Sequence, residues 1–390
     1  MKKISIILIC LLAIQKTNAQ ENVITTGVPF LLVAADARSA GLGDQGVATS
    51  ADAYSQQWNP AKYAFIKKQM GFSASYTPYL TSLVNDISLG QVTFFNRIDD
   101  RSAWALGLRY FSLGDIELRK DYNDPAVVVT PNEFILEGTY TLKIADKFSM
   151  GVSPKYIRSS LKIPDVNGDS SAASTFAVDV SGFWQGEETA YNDFNGRLRF
   201  GFNFQNLGPK ISYDKSLVAD QSANFLPANL KLGAGYDFGI DEYNKISVSA
   251  EFAKLLVPTP QNDDLNGDGT ITATEISQNN ENYQSIGWTS GIFKSFNDAP
   301  GGMSEELKEV TYSLGAEYNY QDSFALRLGY FKEHQDKGAR NFYSLGAGFK
   351  YTTIKIDVSY LFNASNVKSP LENTLRFSLS FDFGNDYDDN

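Results

Sequence analysis

Cysteine and histidine are almost absent from this 390-residue chain: it contains one of each, Cys10 and His334. Cys10 sits inside an N-terminal export signal. Lys2 and Lys3 make its positive start, Ile4 to Ile14 its apolar run, and Thr17-Asn18-Ala19 its cleavage site. Removal of residues 1–19 is expected, leaving Gln20 first. Ile9, ahead of Cys10, is not small, which argues against lipidation there. The mature chain then has no cysteine, which excludes disulfide scaffolds, thiolate metal sites and cysteine nucleophiles. The histidine stands in Glu333-His334-Gln335-Asp336, just past a strand end. With no Gly-x-Ser-x-Gly motif beside it, a Ser-His hydrolase has little support, and it reads as a solvated loop histidine. Phosphate loops, dinucleotide glycines and zinc spacings are missing too. No catalytic residue is assigned, and the chain is expected not to be an enzyme.

Positive charge is also short. Losing Lys2, Lys3 and Lys16 with the signal takes the formal net charge from −11 to −14. That argues against nucleic acid as a partner and is compatible with bound divalent cations. No apolar run after the signal reaches the length of a membrane-spanning helix.

What is abundant is aromatic residues, 27 Phe and 21 Tyr, and alternation with period two from about Met70 to Phe383. Trp104, Leu106, Leu108 and Tyr110 alternate with Ala103, Ala105, Gly107 and Arg109. Leu375, Phe377, Leu379, Phe381 and Phe383 alternate with Arg376, Ser378, Ser380 and Asp382. A soluble sandwich would bury the large row; a membrane barrel turns it to lipid and lines its lumen with the small, polar row. Strand length favours the barrel, many segments reaching ten residues against about five or six in soluble proteins. So do Tyr76, Tyr110, Tyr140, Tyr156, Tyr236, Tyr330, Tyr351 and Tyr360, which fall near segment ends where an interfacial girdle belongs. The pattern predicts strands over 69–80, 85–97, 101–113, 132–144, 147–163, 173–186, 196–207, 227–239, 244–257, 309–320, 322–333, 340–352, 354–363 and 372–383.

The expectation is therefore an all-β fold, a 14-stranded antiparallel transmembrane β-barrel of the cell outer membrane, in contact with outer-membrane lipid. Short periplasmic turns alternate with longer surface loops, and an even count puts both chain ends on the periplasmic side. Residues 69–384 form the barrel, with a long surface loop at 258–308, and 385–390 a periplasmic tail. Ile286, Trp288, Ile292, Phe293 and Phe296 suit a short amphipathic helix inside that loop. Ahead of the barrel, 20–68 reads as an N-terminal lumenal plug. Its stretch Ala35–Ala64 is rich in small residues, fits neither period, and ends in Trp58-Asn59-Pro60-Ala61. Inward charges (Arg109, Glu137, Lys143, Arg199, Glu251, Glu317, Arg327, Lys355, Asp357 and Arg376) are expected to pair across the lumen and fix the plug more than to conduct.

One motif is specific for an ion. Asp264 to Glu275 fits the twelve-residue calcium loop. Asp264, Asn266 and Asp268 offer side-chain oxygens, Gly269 allows the turn, Thr270 gives its carbonyl, Thr272 acts through water and Glu275 closes the site. Pro258 and Pro260 oppose an entering helix, so the expectation is an isolated loop, not a full EF-hand, with Ca²⁺ as a structural clamp. The weaker echo Asp165–Ser170 reads as an ordinary turn.

Four stretches together carry a resemblance: Ala35-Asp36-Ala37-Arg38-Ser39-Ala40-Gly41-Leu42-Gly43-Asp44, Trp58-Asn59-Pro60-Ala61, Asp298-Ala299-Pro300-Gly301-Gly302, and Pro370-Leu371-Glu372-Asn373-Thr374-Leu375-Arg376-Phe377. In this order they resemble the PorV family, outer-membrane barrels of the type IX protein secretion system of Bacteroidota, within the FadL-like group of fourteen-stranded barrels. The resemblance implies binding to an SprA-like translocon at its lateral opening. It also implies collection of secreted cargo proteins bearing C-terminal secretion domains, and their delivery to a surface complex with a PorU-like protease. The alternative it leaves is a FadL-like channel for hydrophobic small molecules, gated by the N-terminal segment. The long 258–308 loop favours protein docking, and no fatty-acid pocket residue carries over.

Overall fold

The computed structural model describes residues 23–80, 86–119, 121, 125–161, 172–213, 223–365 and 374–387. The signal, the Asp165–Ser170 echo and Pro370–Asn373 lie outside them. Fourteen long strands follow one another: β1 Lys68–Pro78, β2 Ser88–Arg97, β3 Ser102–Ser112, β4 Asn132–Ala145, β5 Phe148–Ser160, β6 Ala173–Gln185, β7 Asn195–Leu207, β8 Asn229–Gly239, β9 Asn244–Leu255, β10 Val310–Tyr320, β11 Phe324–Lys332, β12 Asn341–Tyr351, β13 Ile354–Asn363 and β14 Leu375–Asp386. Each pairs antiparallel with the next, and β14 pairs with β1, Phe381 facing Phe72, so the sheet closes. All fourteen stand where the alternation predicts them. The last runs further than expected, because Lys68 pairs with Asp386 in both backbone and charge.

The alternation sorts the two faces as a barrel in lipid requires. Leu106, Leu108 and Tyr110 are exposed, while Ala105, Gly107 and Arg109 between them are buried. An arginine buried between an exposed leucine and an exposed tyrosine is the reverse of a water-soluble core. The strands run 9 to 14 residues, enough to cross a hydrocarbon layer at a tilt. Two short elements sit outside the barrel cycle: a hairpin pairing Ile116–Leu118 with Val127–Val129, and Thr189–Ala190 against β7.

One rim carries the short turns 98–101, 146–147, 186–194, 240–243, 321–323 and 352–353; the other carries the long connections. Both strand ends of the barrel, Lys68 and Asp386, lie on the short-turn rim, but the N-terminal segment does not start there. Val28, Phe30 and Leu31 pack with Leu89, Phe111, Ile135, Ile157 and Leu226 at the long-loop end. Phe30 stacks on Phe111, and Gly27 N–H donates to the Phe225 carbonyl at 2.8 Å. The chain then passes through the lumen and reaches the opposite rim at Phe65 and Ile66, where Phe65 meets Phe183 and Lys143. The strand count places only the barrel's own ends; the apolar residues Val28 to Leu31 seek the apolar cluster at the long-loop end. With long loops outward, Thr25→Cys and Thr289→Cys should react with a membrane-impermeant maleimide on intact cells and Glu242→Cys should not. Labelling at Glu242→Cys alone would invert the topology.

Candidate functional site

The lumen is filled from Ala34 to Ile66 by a segment with two single-turn helices, α1 (Ala37–Ala40) and α2 (Ser55–Trp58), and a final 3₁₀ turn, Pro60–Phe65. Almost every residue in it is buried. Its small residues allow this. Gly43 has φ +81°, and a Cβ there would stand 2.7 Å from the Tyr330 carbonyl oxygen, so only glycine fits. Asp36 caps α1 by accepting from Ser39 N–H and also accepts from the Trp58 indole at 2.7 Å, joining the two ends of the segment. Asn59 explains the Trp-Asn-Pro step. Its amide donates to the carbonyls of Val47 and Gly182 at 2.8 and 3.0 Å, while its oxygen accepts from Ala61 N–H.

Inward strand residues hold the segment on all sides. Arg38 donates twice to Glu317, at 3.1 and 2.8 Å, and also to Asp52 and Ser50. Glu251 accepts from Gly46 and Val47 N–H at 2.8 and 2.9 Å. Arg376 reaches Asp44 at 2.9 Å, and Arg199 reaches the Ala48 carbonyl and Asp237. Arg327 bridges Glu317 and Asp357, and Lys155 bridges Glu137 and Asp179. Arg109 stands 4.0 Å from Glu137 and donates to the Leu31 carbonyl. Lys355 stands by Asp357, and Lys143 over the Phe65 ring. The inward charges therefore pair and hold the segment, as expected. On the segment, Arg38 and Asp44 are the partners that sequence reasoning missed: they face Glu317 and Arg376 of the wall, while Asp52 pairs with Arg38. Their signal is a charge in a small-residue stretch facing a barrel whose inward rows carry both signs. Toward the short-turn rim a cavity of about 370 Å³ remains, lined by Arg38, Arg199, Lys245, Asp237 and Glu317 among others. So charged a wall suits water and ions better than hydrocarbons.

The second candidate region is the 258–308 excursion. Three helices form in it: α3 (Ala273–Ser285), α4 (Trp288–Lys294) and the single turn α5 (Met303–Glu306). The helix expected near Ile286–Phe296 is α4. Gly291 seats it, because a Cβ there would stand 3.0 Å from both Phe225 and Pro258. Phe225 also meets Tyr283 edge-on, so α3 and α4 share one anchor. Phe293 and Phe296 lie away from it, 79% and 45% exposed. The base is fixed by charge: Lys254 bridges Glu306 and Glu309 at 2.9 and 2.6 Å, and Lys337 bridges Glu305 and Glu309. Glu306 accepts from the backbone of Asp298 and Ala299, which gives the Asp-Ala-Pro-Gly-Gly stretch its role.

The calcium-loop residues lie together in this excursion, though not as a closed ion cage. Asp264 accepts from Gly267 and Gly269 N–H, Asn266 from Asp268 N–H, and Asp268 from Thr270. Glu275 accepts from Asn266 and Thr272 N–H and completes a capping box with Thr272 at the start of α3. Among the described residues no three acidic or histidine side chains converge to hold an ion. Backbone N–H groups, the Thr270 hydroxyl and the Thr272 backbone hold Asp264, Asp268 and Glu275 below the usual carboxylate range. Gly269 makes the required turn at φ +85°. The loop has an exiting helix and no entering one, as Pro258 and Pro260 imply. His334 lies partly exposed on the long-loop rim, accepting from Asp336 N–H through Nδ1.

Two outcomes follow. Arg38→Met takes the ion-pair partner from Asp52 in the lumen and leaves Glu317 paired with Arg327; it should cost about 3–5 kcal/mol, read as a lower temperature for loss of the compact, heat-modifiable gel band. Asp52→Asn in the same chain should recover part of that. The excursion should respond to pH through Asp298. Partial burial pushes its carboxyl up to about 6, against the Thr259 N–H and helped by Glu306 and Glu309. A raised carboxyl stabilises the fold fully below the unfolded value near 3.8 and loses that contribution as pH rises through about 6. Glu305 and Glu306 are lowered, so their contribution fails only below their ordinary 4.5. Protease resistance of the excursion should therefore rise from pH 7 to pH 5, and Asp298→Asn should flatten that rise.

A family model described as "Type IX secretion system protein PorV" matches residues 16–262, more than half of the chain. No curated protein matches. Among solved structures, a deltaS2S3 mutant of the TodX monoaromatic hydrocarbon channel aligns with TM-score 0.52 at 12% identity, covering 89% of this chain and 99% of its own. The Pseudomonas putida toluene transporter TodX aligns with TM-score 0.50 at 12% identity, over 90% and 99%. A Pseudomonas aeruginosa FadL homologue aligns with TM-score 0.46 at 14% identity, over 90% and 99%. These likenesses are of fold: the two TodX structures share the barrel architecture of this chain. The family match and the apolar outer wall place the protein in the outer membrane, and the chain belongs to the PorV family of the type IX secretion system.

Proposed function

We propose that this barrel is a docking component of type IX secretion. It binds an SprA-like translocon at its lateral opening, receives cargo with C-terminal secretion domains, and passes it to a surface complex containing a PorU-like protease. The observation that carries this reading is the pairing of a filled lumen with a fixed, apolar-tipped excursion. The segment from Ala34 to Ile66 is tied to nearly every side of the wall, so movement of cargo through the barrel would require breaking several buried ion pairs. Above it Phe293, Phe296, Met303 and Leu307 stand exposed on a base pinned by Lys254 and Lys337. Exposed apolar side chains on a pinned frame suit protein recognition. The FadL-like channel reading rests on fold likeness alone, and the charged walls of the lumen cavity speak against a hydrophobic cargo.

Deleting the gene should abolish surface and secreted proteins and leave fatty-acid uptake normal. Normal secretion with failed uptake would overturn the reading in favour of the channel. Phe293→Glu with Leu307→Glu should reduce co-purification of the translocon with the tagged barrel and leave heat-modifiability unchanged.

Calcium binding at Asp264, Asn266, Asp268, Thr270, Thr272 and Glu275 is part of the same proposal, as a clamp that orders the excursion for a partner. The donor types and the Gly269 turn fit the ion. To bind it, Asp264, Asp268 and Glu275 would exchange backbone partners for the cation, which points to a weak site, roughly 10⁻⁴ to 10⁻³ M as in extracellular modules. Millimolar calcium should protect the excursion from protease in the parent and not in Asp268→Ala with Glu275→Gln, which keeps the capping box. Equal responses would remove the site.

A further inference from the structure

On the outer wall the side chains of β5 to β8 form two neighbouring cross-strand rows. One runs Met150, Gly182, Phe202, Leu232; the next runs Phe148, Trp184, Phe200, Ala234. Gly182 is the gap in the first row. A Cβ there would overlap the Phe202 ring, so the ring lies down across Gly182 and leans away from β8. A furrow of about 300 Å³ is left, walled by Phe148, Trp184, Phe200, Phe202 and Leu232. Its floor is bare backbone, because Gly201 and Gly233 face each other across β7 and β8. The wall is thin there: Val47 presses on both glycines from the lumen, and Asn59 donates to the Gly182 carbonyl.

We propose that this furrow is a lipid site that seats one acyl chain of an outer-membrane phospholipid. Three observations select that occupant. The furrow continues the apolar outer wall, which in the outer membrane faces hydrocarbon. Its lining is almost free of polar surface, since the backbone groups of its floor are spent in the ladder. A stable protein interface needs about 1,000 Å² or more, and five side chains around a slot of this size supply much less. An acyl chain gains dispersion contacts along the slot without any hydrogen bond to satisfy. Because Asn59 and Val47 lie directly behind the floor, the seated chain would rest against the wall segment that holds the lumenal turn.

Trp184 is the built-in reporter. A variant with Trp104→Phe and Trp288→Phe leaves Trp184 and the lumen-buried Trp58. In detergent micelles it is titrated with phosphatidylethanolamine carrying a dibrominated acyl chain. Trp184 quenching should saturate at low lipid mole fraction. In the companion variant with Trp184→Phe and Trp288→Phe, Trp104 should quench in proportion to the mole fraction. Gly182→Leu, which lifts Phe202 and fills the slot, should remove the saturable part. Leu232→Trp, at an exposed wall position, fills the slot from the other side and serves if Gly182→Leu does not fold. Native mass spectrometry should show one retained phospholipid, lost in either variant. The proposal fails if Trp184 quenches in simple proportion as Trp104 does. It also fails if Trp184 is shielded from the brominated chain only in barrels purified with bound protein, since a polypeptide would then be the occupant.

Discussion

The constraint on which this protein rests is that backbone polar groups in hydrocarbon have no water to turn to. A sheet can satisfy that only by closing on itself, and the pairing of Phe381 with Phe72 between the last and first strands is what closes it. Once the cycle is shut, the period of two sets every other choice. Large apolar side chains face outward, small and polar ones inward, and a charge such as Arg109 has nowhere to go but the lumen.

That inward placement creates a second constraint. Arginines and carboxylates crowd a narrow interior, where each buried charge needs a partner. Part of the supply comes from the wall itself, as in Arg327 with Glu317 and Asp357. The remainder comes from the N-terminal segment, whose Arg38 and Asp44 complete pairs with Glu317 and Arg376. The segment is thus held by the electrostatics of the barrel as much as by its own turns. Its glycines and alanines are what let a backbone run so close to the wall.

The excursion is built on a different principle. It lies beyond the barrel, so its order depends on a base of interlocked ion pairs and on one aromatic anchor, Phe225, shared by α3 and α4. Phe225 also accepts, through its carbonyl, the N–H of Gly27. The outer end of the lumenal segment and the frame of the excursion therefore meet at one residue. A change in either is mechanically near the other.

The strands were legible because alternation is a local signal: Trp104-x-Leu106-x-Leu108-x-Tyr110 declares its two faces without reference to any other strand. The closed cycle, the loop asymmetry and the type of helix α4 follow from the same local patterns. The Asp264–Glu275 spacing was equally legible, but what its carboxylates hold depends on competing backbone donors that no spacing reveals. The path of the N-terminal segment was not legible, because its course is set by contacts hundreds of residues away, such as Gly43 with Ser344 and Ala37 with Ser378. Nor was the furrow, since Gly182 reads as a small residue in a strand until Phe202 is found lying across it. Which side of each strand meets lipid can be read along that strand alone; which charge meets which, and where Val28 to Leu31 settle, emerges only in the closed barrel, because side-chain alternation is local and charge pairing across a lumen is not.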